Sequence, residues 1–348
     1  MDIIINKLRG KPNAIYGLDD VPFPSIDAAP PQALIARCPK AAITPLIAAP
    51  DIAQACNVGT VLIKDERARM GLGSFKALGA AYVIADDASR DDVRGVTYVT
   101  ASAGNHGLSL AAGAQAFGAR AVVYIAQSVA EQFARRLQAQ GAEVRREGDT
   151  YEQSMQAAAL AAERNDWRLL SDSSWPGYMD RPYRLMQGYL VLMAEVAGQV
   201  SAPPSHIIVQ AGVGGLAGAV AAYARHIWGD FPRIIVVEPD AAPALAASIN
   251  AAKVVRAEGP VSNMGRLDCK EPSLIALKGL AHDADVFATI SEDEGLLGAK
   301  QAELAGLVST PSGAAGLAGL MASAALREPL GLDETSTVLL ILSEEGSL

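Results

Sequence analysis

Short apolar runs rich in β-branched residues alternate along most of this chain with alanine-rich stretches of helical period. The strand-like runs fall at 60–64, 95–99, 121–125, 143–146, 168–170, 206–209, 234–237, 286–290 and 337–342. Between them, windows such as 108–117, 130–140 and 151–164 carry Ala and Leu at helical spacing. Strands of this kind, apolar on both faces and separated by helices, predict an α/β protein with mostly parallel sheets flanked by helices. The segment 19–50 is punctuated by Pro22, Pro24, Pro30, Pro31, Pro39, Pro45 and Pro50 and reads as an irregular lead-in.

Three glycine- or small-residue-rich turns carry the chemistry. Ser74-Phe75-Lys76 precedes the helical run Ala77-Leu78-Gly79-Ala80. An amine there is partly desolvated and close to the positive end of a helix, both of which favour its neutral, nucleophilic form. Ser102-Ala103-Gly104-Asn105-His106-Gly107 follows a strand and opens a helix, a turn whose exposed N–H groups suit a carboxylate. Gln210-Ala211-Gly212-Val213-Gly214-Gly215-Leu216 does the same further on and suits a phosphate. It departs from the dinucleotide pattern G-x-G-x-x-G at Ala217, which weakens a nicotinamide reading. A late apolar strand ends in Ser343-Glu344-Glu345-Gly346.

An imine-forming lysine, a carboxylate loop, a phosphate cradle and a late strand ending in serine describe pyridoxal 5′-phosphate chemistry. From about residue 40 onward the chain resembles the fold-type II pyridoxal-phosphate enzymes, the superfamily of the tryptophan synthase β-subunit and threonine dehydratase. The runs Ser102–Gly107 and Gln210–Gly215 are shared widely across that superfamily. The run Met186-Gln187-Gly188-Tyr189 also matches the resemblance, while the narrower segments Asp172-Ser-Ser-Trp175-Pro-Gly-Tyr178 and Leu267-Asp268-Cys269-Lys270-Glu271-Pro272 most resemble the diaminopropionate ammonia-lyase branch.

The resemblance implies two domains with the cofactor between them. Residues 1–82 and 197–348 would form a larger, discontinuous cofactor-binding domain, and 83–196 a smaller one carrying the carboxylate loop. Lys76 would hold the cofactor covalently and move the Cα proton. Phe75 would pack near the cofactor ring, and Asn105 would bond its phenolic oxygen. Gly212, Val213, Gly214, Gly215 and Leu216 would hold the phosphate, and Ser343 would face the pyridine nitrogen. A carboxylate of Glu344 or Glu345 turned inward would change the environment of that nitrogen. Ser102, Ala103, Gly104, Asn105 and His106 would receive the substrate carboxylate. Asp172 would choose the substrate, its carboxylate favouring a cationic β-substituent. The implied reaction is α,β-elimination from 2,3-diaminopropionate. Dehydration or racemisation of serine, threonine or hydroxyaspartate, or β-replacement, are the other readings. Ala103 stands where the bacterial diaminopropionate enzyme has an acidic residue that serves the D-isomer, so selectivity for the L-isomer is expected.

Composition narrows the rest. The chain has 348 residues, enough for two cores, and a net charge of −9, which argues against nucleic acid or an anionic membrane as partner. No run approaches the roughly 18 apolar residues of a membrane span, and the opening Ile3-Ile4-Ile5 is too short for a secretory signal. Cys38, Cys56 and Cys269 lack metal-like spacing and read as reduced thiols of a cytoplasmic protein, with no metal site. The implied partners are a small amino-acid substrate and a second copy of the chain.

Overall fold

The computed structural model describes residues 1–346. Among the described residues, eleven strands form two sheets: β1 (Asp2–Ile5), β2 (Leu46–Ala48), β3 (Thr60–Asp65), β4 (Thr97–Ala101), β5 (Arg120–Ile125), β6 (Glu143–Arg146), β7 (Arg168–Leu169), β8 (His206–Gln210), β9 (Arg233–Pro239), β10 (Val286–Ile290) and β11 (Thr337–Leu342). The larger sheet runs β1-β10-β9-β8-β11-β3-β2 and the smaller β6-β5-β4-β7. The parallel interior of the large sheet is flanked by antiparallel edges, β1 on β10 and β2 on β3. All four strands of the small sheet are parallel.

The nine expected strands are therefore all present, and the α/β expectation holds. Two strands and a helix go beyond it. The three isoleucines at the start pair as an edge strand, and the proline-rich lead-in contains β2 and the helix Ala29–Ile35. That helix carries proline in its first turn, where the missing N–H has no helical partner to lose. The large sheet takes its strands from residues 2–65 and 206–342, and the small one from 97–169. The boundary positions 82/83 and 196/197, however, fall inside the helices Ala77–Arg90 and Asp180–Gln199.

Strand order places the site. In the large sheet the chain leaves β8 for β9 on one side and returns as β11 on the other, and β4 occupies the same position between β5 and β7. Such switch points open a crevice at the strands' C-terminal ends. The ends of β8 and β11 bring Gln210 and Ser343 together, and those of β4 and β7 bring the 102–107 turn beside Asp172.

Two helices fix the lysine between the sheets. Ala77–Arg90 begins directly after Lys76 and crosses Asp180–Gln199 at close range. The crossing needs glycine on both sides: a Cβ at Gly188 would lie 2.3 Å from the Leu78 carbonyl oxygen, and one at Gly79 2.7 Å from the Tyr189 ring. Lower down, Asp180–Gln199 is tied to the large sheet by a buried ionic network. Lys64 Nζ donates to Thr44 O (2.8 Å), Glu195 Oε2 (2.7 Å) and Gln199 Oε1 (2.9 Å). Arg69 joins Glu66 (2.6 Å) to Glu195 (2.7 Å). No described helix is long and apolar enough to cross a membrane.

Candidate active site

Lys76 caps the start of the helix Ala77–Arg90, and its Nζ lies 2.5 Å from Asp172 Oδ2. The side chains are 22% and 17% exposed, so the pair is partly open to solvent. Burial pulls the Lys76 amine down, but the charge and hydrogen bond of Asp172, with Tyr189 nearby, outweigh it and hold the ammonium above its ordinary value. This corrects the expected neutral amine: burial alone would have favoured it, and a carboxylate remote in sequence reverses the balance. Asp172 answers in kind. Burial would raise its carboxyl, yet Lys76 and His106 press it well below the usual range.

Phe75 is buried beneath this pair, 4.9 Å edge-on from the Tyr189 ring, with Lys76 Nζ 5.3 Å from its own centroid. His106 is buried behind the carboxylate loop, where Nε2 meets Leu170 O at 2.8 Å and Nδ1 has no partner among the described residues. Burial pushes the imidazole down despite Asp172, so it is neutral at physiological pH and Nε2 carries the hydrogen toward the carbonyl. The helix Asn105–Ala116 begins after Gly104, and Leu108 is the first residue whose N–H returns to a helical carbonyl, Gly104 O at 3.2 Å. The earlier N–H groups of that turn face the crevice end of β4 without helical partners.

The helix Gly215–Trp228 repeats the arrangement. Gly214 has φ +97°, a left-handed conformation that costs an L side chain strain. A Cβ at 214 would point toward Ala276 and Leu245, 3.0 and 3.1 Å away, so the glycine serves the turn's conformation and packing. Gly218 is the first N–H of that helix to bond, to Gly214 O at 2.8 Å, which leaves the amides of Gly215 and Leu216 open for an anion. Gly212 lies against Cys269 and the Arg266 backbone, where a Cβ would be 3.0 Å from each. Burial pushes the Cys269 thiol up to about 12, and it stays protonated.

Ser343 is buried at the end of β11 and accepts a hydrogen bond from Gln210 Nε2 at 3.1 Å. Its own hydroxyl hydrogen has no acceptor among the described residues and is available to a ring nitrogen. The two glutamates beyond it part ways. Glu345 pairs with Arg136 at 3.2 Å and is half exposed. Glu344 turns inward, 5% exposed, and accepts hydrogen bonds from Asn105 Nδ2 and Thr310 Oγ1. Burial pushes the Glu344 carboxyl up against the pull of Arg266, whose Nε is 3.7 Å away. Asn105 thus spends one N–H on Glu344 and keeps the other for a ligand.

Arg266 escaped the sequence reading. Its guanidinium lies along Gly104, where a Cβ would be 2.6 Å from Nη1, and over the Phe133 ring. The motif Leu267–Pro272 that it immediately precedes was visible, but the contact with a loop so distant in sequence was not.

These residues fit pyridoxal phosphate: one lysine amine, a cradle of open amides behind a left-handed glycine, and a spare hydroxyl donor. Residues 39–344 match the model of the pyridoxal-phosphate dependent enzymes. Diaminopropionate ammonia-lyase of Escherichia coli K12 is 30% identical over 334 residues, covering 86% of this chain and 84% of that protein. A serine dehydratase-like protein of Rattus norvegicus is 28% identical over 253 residues, covering 72% of each. The crystal structure of the E. coli diaminopropionate ammonia lyase with an aminoacrylate-PLP azomethine reaction intermediate superposes with a TM-score of 0.89 at 29% identity, covering 99% of this chain and 93% of that one. The chain belongs to the pyridoxal-phosphate dependent enzymes, in fold type II, with pyridoxal phosphate as its cofactor.

Proposed function

We propose that the protein is an ammonia-lyase that eliminates the β-amino group of 2,3-diaminopropionate, the L-isomer favoured, giving pyruvate and two molecules of ammonia with uptake of one water. The observation that carries this reading is the Asp172 carboxylate 2.5 Å from Lys76 Nζ. A carboxylate beside the reacting amine recognises a cationic β-substituent, which diaminopropionate has and serine lacks. The relatives named diaminopropionate ammonia-lyase support it.

Bound pyridoxal phosphate supplies the electron sink that acidifies Cα. The protein does the rest. Open amides at the start of the helix Asn105–Ala116 bind the α-carboxylate and orient Cα. Lys76, at the start of its helix, would be held beside Cα and would take its proton. Asp172 holds the β-ammonium and keeps the leaving nitrogen protonated. Ala103 offers no base on the opposite face, which favours one isomer. Ser343 presents a neutral donor to the pyridine nitrogen, and Glu344 is engaged by Asn105 and Thr310.

The serine dehydratase-like relative keeps elimination of a hydroxyl as the second reading. An assay of pyruvate and ammonia from a panel of β-substituted L- and D-amino acids separates them. Asp172→Asn should depress turnover of diaminopropionate at least tenfold more than that of serine, since only the cation loses a charge-assisted bond worth roughly 1.5–3 kcal/mol. An unchanged ranking would favour the dehydratase. The reading extends to a cytoplasmic homodimer, supported by the free thiols of Cys38, Cys56 and Cys269 and by the usual assembly of the family it resembles; sedimentation tests the latter.

A further inference from the structure

Arg266 has no role in the reaction as described above, yet it reaches from one anion-binding turn to the other. Its main chain packs on the phosphate cradle, where a Cβ at Gly212 would lie 3.0 Å from the Arg266 carbonyl oxygen. Its backbone N–H is tied to Ser312 Oγ at 3.2 Å. Its guanidinium ends on the carboxylate loop, where a Cβ at Gly104 would lie 2.6 Å from Nη1, 2.9 Å from Cζ and 3.3 Å from Nε. Gly104 is the N-cap of the helix Asn105–Ala116. The side chain of an N-cap residue is the one placed to reach the N–H groups of the second and third helical residues. Arg266 Nη1 stands where such a side chain would begin, beside the open amides of His106 and Gly107. The head group is held without being saturated. Its Cζ lies over the Phe133 ring, 5.8 Å from the centroid, and Glu344 Oε2 is 3.7 Å from Nε, beyond hydrogen-bond distance. Both Glu344 oxygens already accept elsewhere, Oε2 from Asn105 and Oε1 from Thr310. No guanidinium N–H of Arg266 donates a hydrogen bond among the described residues.

We propose that Arg266 is a substrate-binding residue whose guanidinium pairs with the α-carboxylate received by the open amides of the 102–107 turn. A planar guanidinium offers parallel N–H groups that match a carboxylate, and the helix amides take the lone pairs that remain. The side chain is 37% exposed, so an ion pair there would be weak on its own; the amides hold the same carboxylate in place and make it count. The inference rests on the substrate being an amino acid and holds whichever β-group leaves. It adds a charged donor to a loop otherwise made of backbone and makes the site prefer an acid over its neutral amide.

The test is Arg266→Gln in the holoenzyme, with Arg266→Lys beside it and thermal unfolding to confirm that both fold. The probes are L-alanine, which has no β-group to eliminate, and L-alaninamide, in which a neutral amide replaces the carboxylate. Binding is read from the change in the cofactor's visible band on titration. Arg266→Gln should weaken L-alanine about tenfold and leave L-alaninamide within about twofold. Arg266→Lys should recover part of the loss, since the charge survives and the fork does not. Equal losses for the two probes would make Arg266 a packing residue of the loop and overturn the proposal. Unchanged binding of L-alanine would overturn it as well. So would weaker capture of pyridoxal phosphate by Arg266→Gln apoenzyme with L-alanine binding intact, which would assign the guanidinium to the phosphate. The substrate reading fails separately: a wild-type band that answers to neither probe refutes an amino-acid substrate, whereas a wild type that binds L-alanine no better than Arg266→Gln refutes only the role of Arg266.

Discussion

Lys64 and Lys76 belong to one short stretch of sequence, and both face a carboxylate, yet their surroundings make them opposites. Lys64 is fully buried, and three acceptors take its three N–H groups. Burial there outweighs Glu195 and lowers its pKa. Lys76 is partly open, bonds to one carboxylate, and is raised. The lesson is that saturation separates an anchoring amine from a reacting one. A nitrogen whose every hydrogen is committed cannot turn toward a carbonyl carbon. One with a single partner at the edge of a crevice can.

The largest effect should come from exchanging the roles. Lys76→Ala should abolish both the visible cofactor band and the borohydride-fixed adduct, while leaving most of the stability. Lys64→Met should leave the band intact per folded molecule. It should cost about 3–5 kcal/mol in denaturant titration, since Glu195 is left buried with one partner fewer. Similar stability losses in the two variants would break the comparison.

A smaller effect should follow at the phosphate cradle. Gly214→Ala adds a Cβ at φ +97° that meets Ala276 and Leu245. Strain of roughly 1–2 kcal/mol in that turn should weaken cofactor affinity about tenfold. An unchanged titration would move the phosphate elsewhere.

The subtlest test concerns protons. With Asp172 gone, burial of Lys76 loses its main opponent and the pKa falls, so Asp172→Asn apoenzyme should capture cofactor at lower pH than wild type. The half-maximal pH should drop by about one unit, a tenfold shift in the neutral fraction. Stability follows with a definite sign. The depressed Asp172 carboxyl stabilises the fold above its ordinary pKa near 4, and that contribution is lost as acid titrates it in the native state. The raised Lys76 contributes below its ordinary pKa near 10.4, and that contribution is lost as pH climbs through the native value. Asp172→Asn should flatten both limbs of the apoenzyme's stability profile, whereas an unaltered profile would mean that the pair is energetically silent.

Much of this site was legible because its signals are local. A strand, a glycine turn and a small-residue helix recur within a few residues at Ser102–Gly107 and Gln210–Leu216, and the lysine stands before its helix. What the sequence concealed depends on residues brought together from far apart. The charge of Lys76 is set by Asp172, the inward turn of Glu344 by Asn105 and Thr310, and the line of Arg266 along Gly104 by a loop from the other end of the chain. The edge strands β1 and β2 were missed for another reason. Each is very short, and strand signals of three or four residues, one of them among prolines, do not rise above loop composition.

The glycine crossing at Gly79 and Gly188 has a mechanical consequence. It rivets the lysine's helix to Asp180–Gln199, and the network of Lys64, Arg69 and Glu195 bolts that second helix to the large sheet. Lys76 is thereby mounted on a stiff frame on one wall of the crevice. The opposite wall is held to the same frame: Asn105 bonds Glu344 at the end of the large sheet, and the helix Asn105–Ala116 lies on the lysine's own helix, where a Cβ at Gly113 would stand 3.3 Å from Ala81 Cα. The lysine and the turn that faces it are thus two fittings on one chassis, and the spacing between them is set before any amino acid arrives.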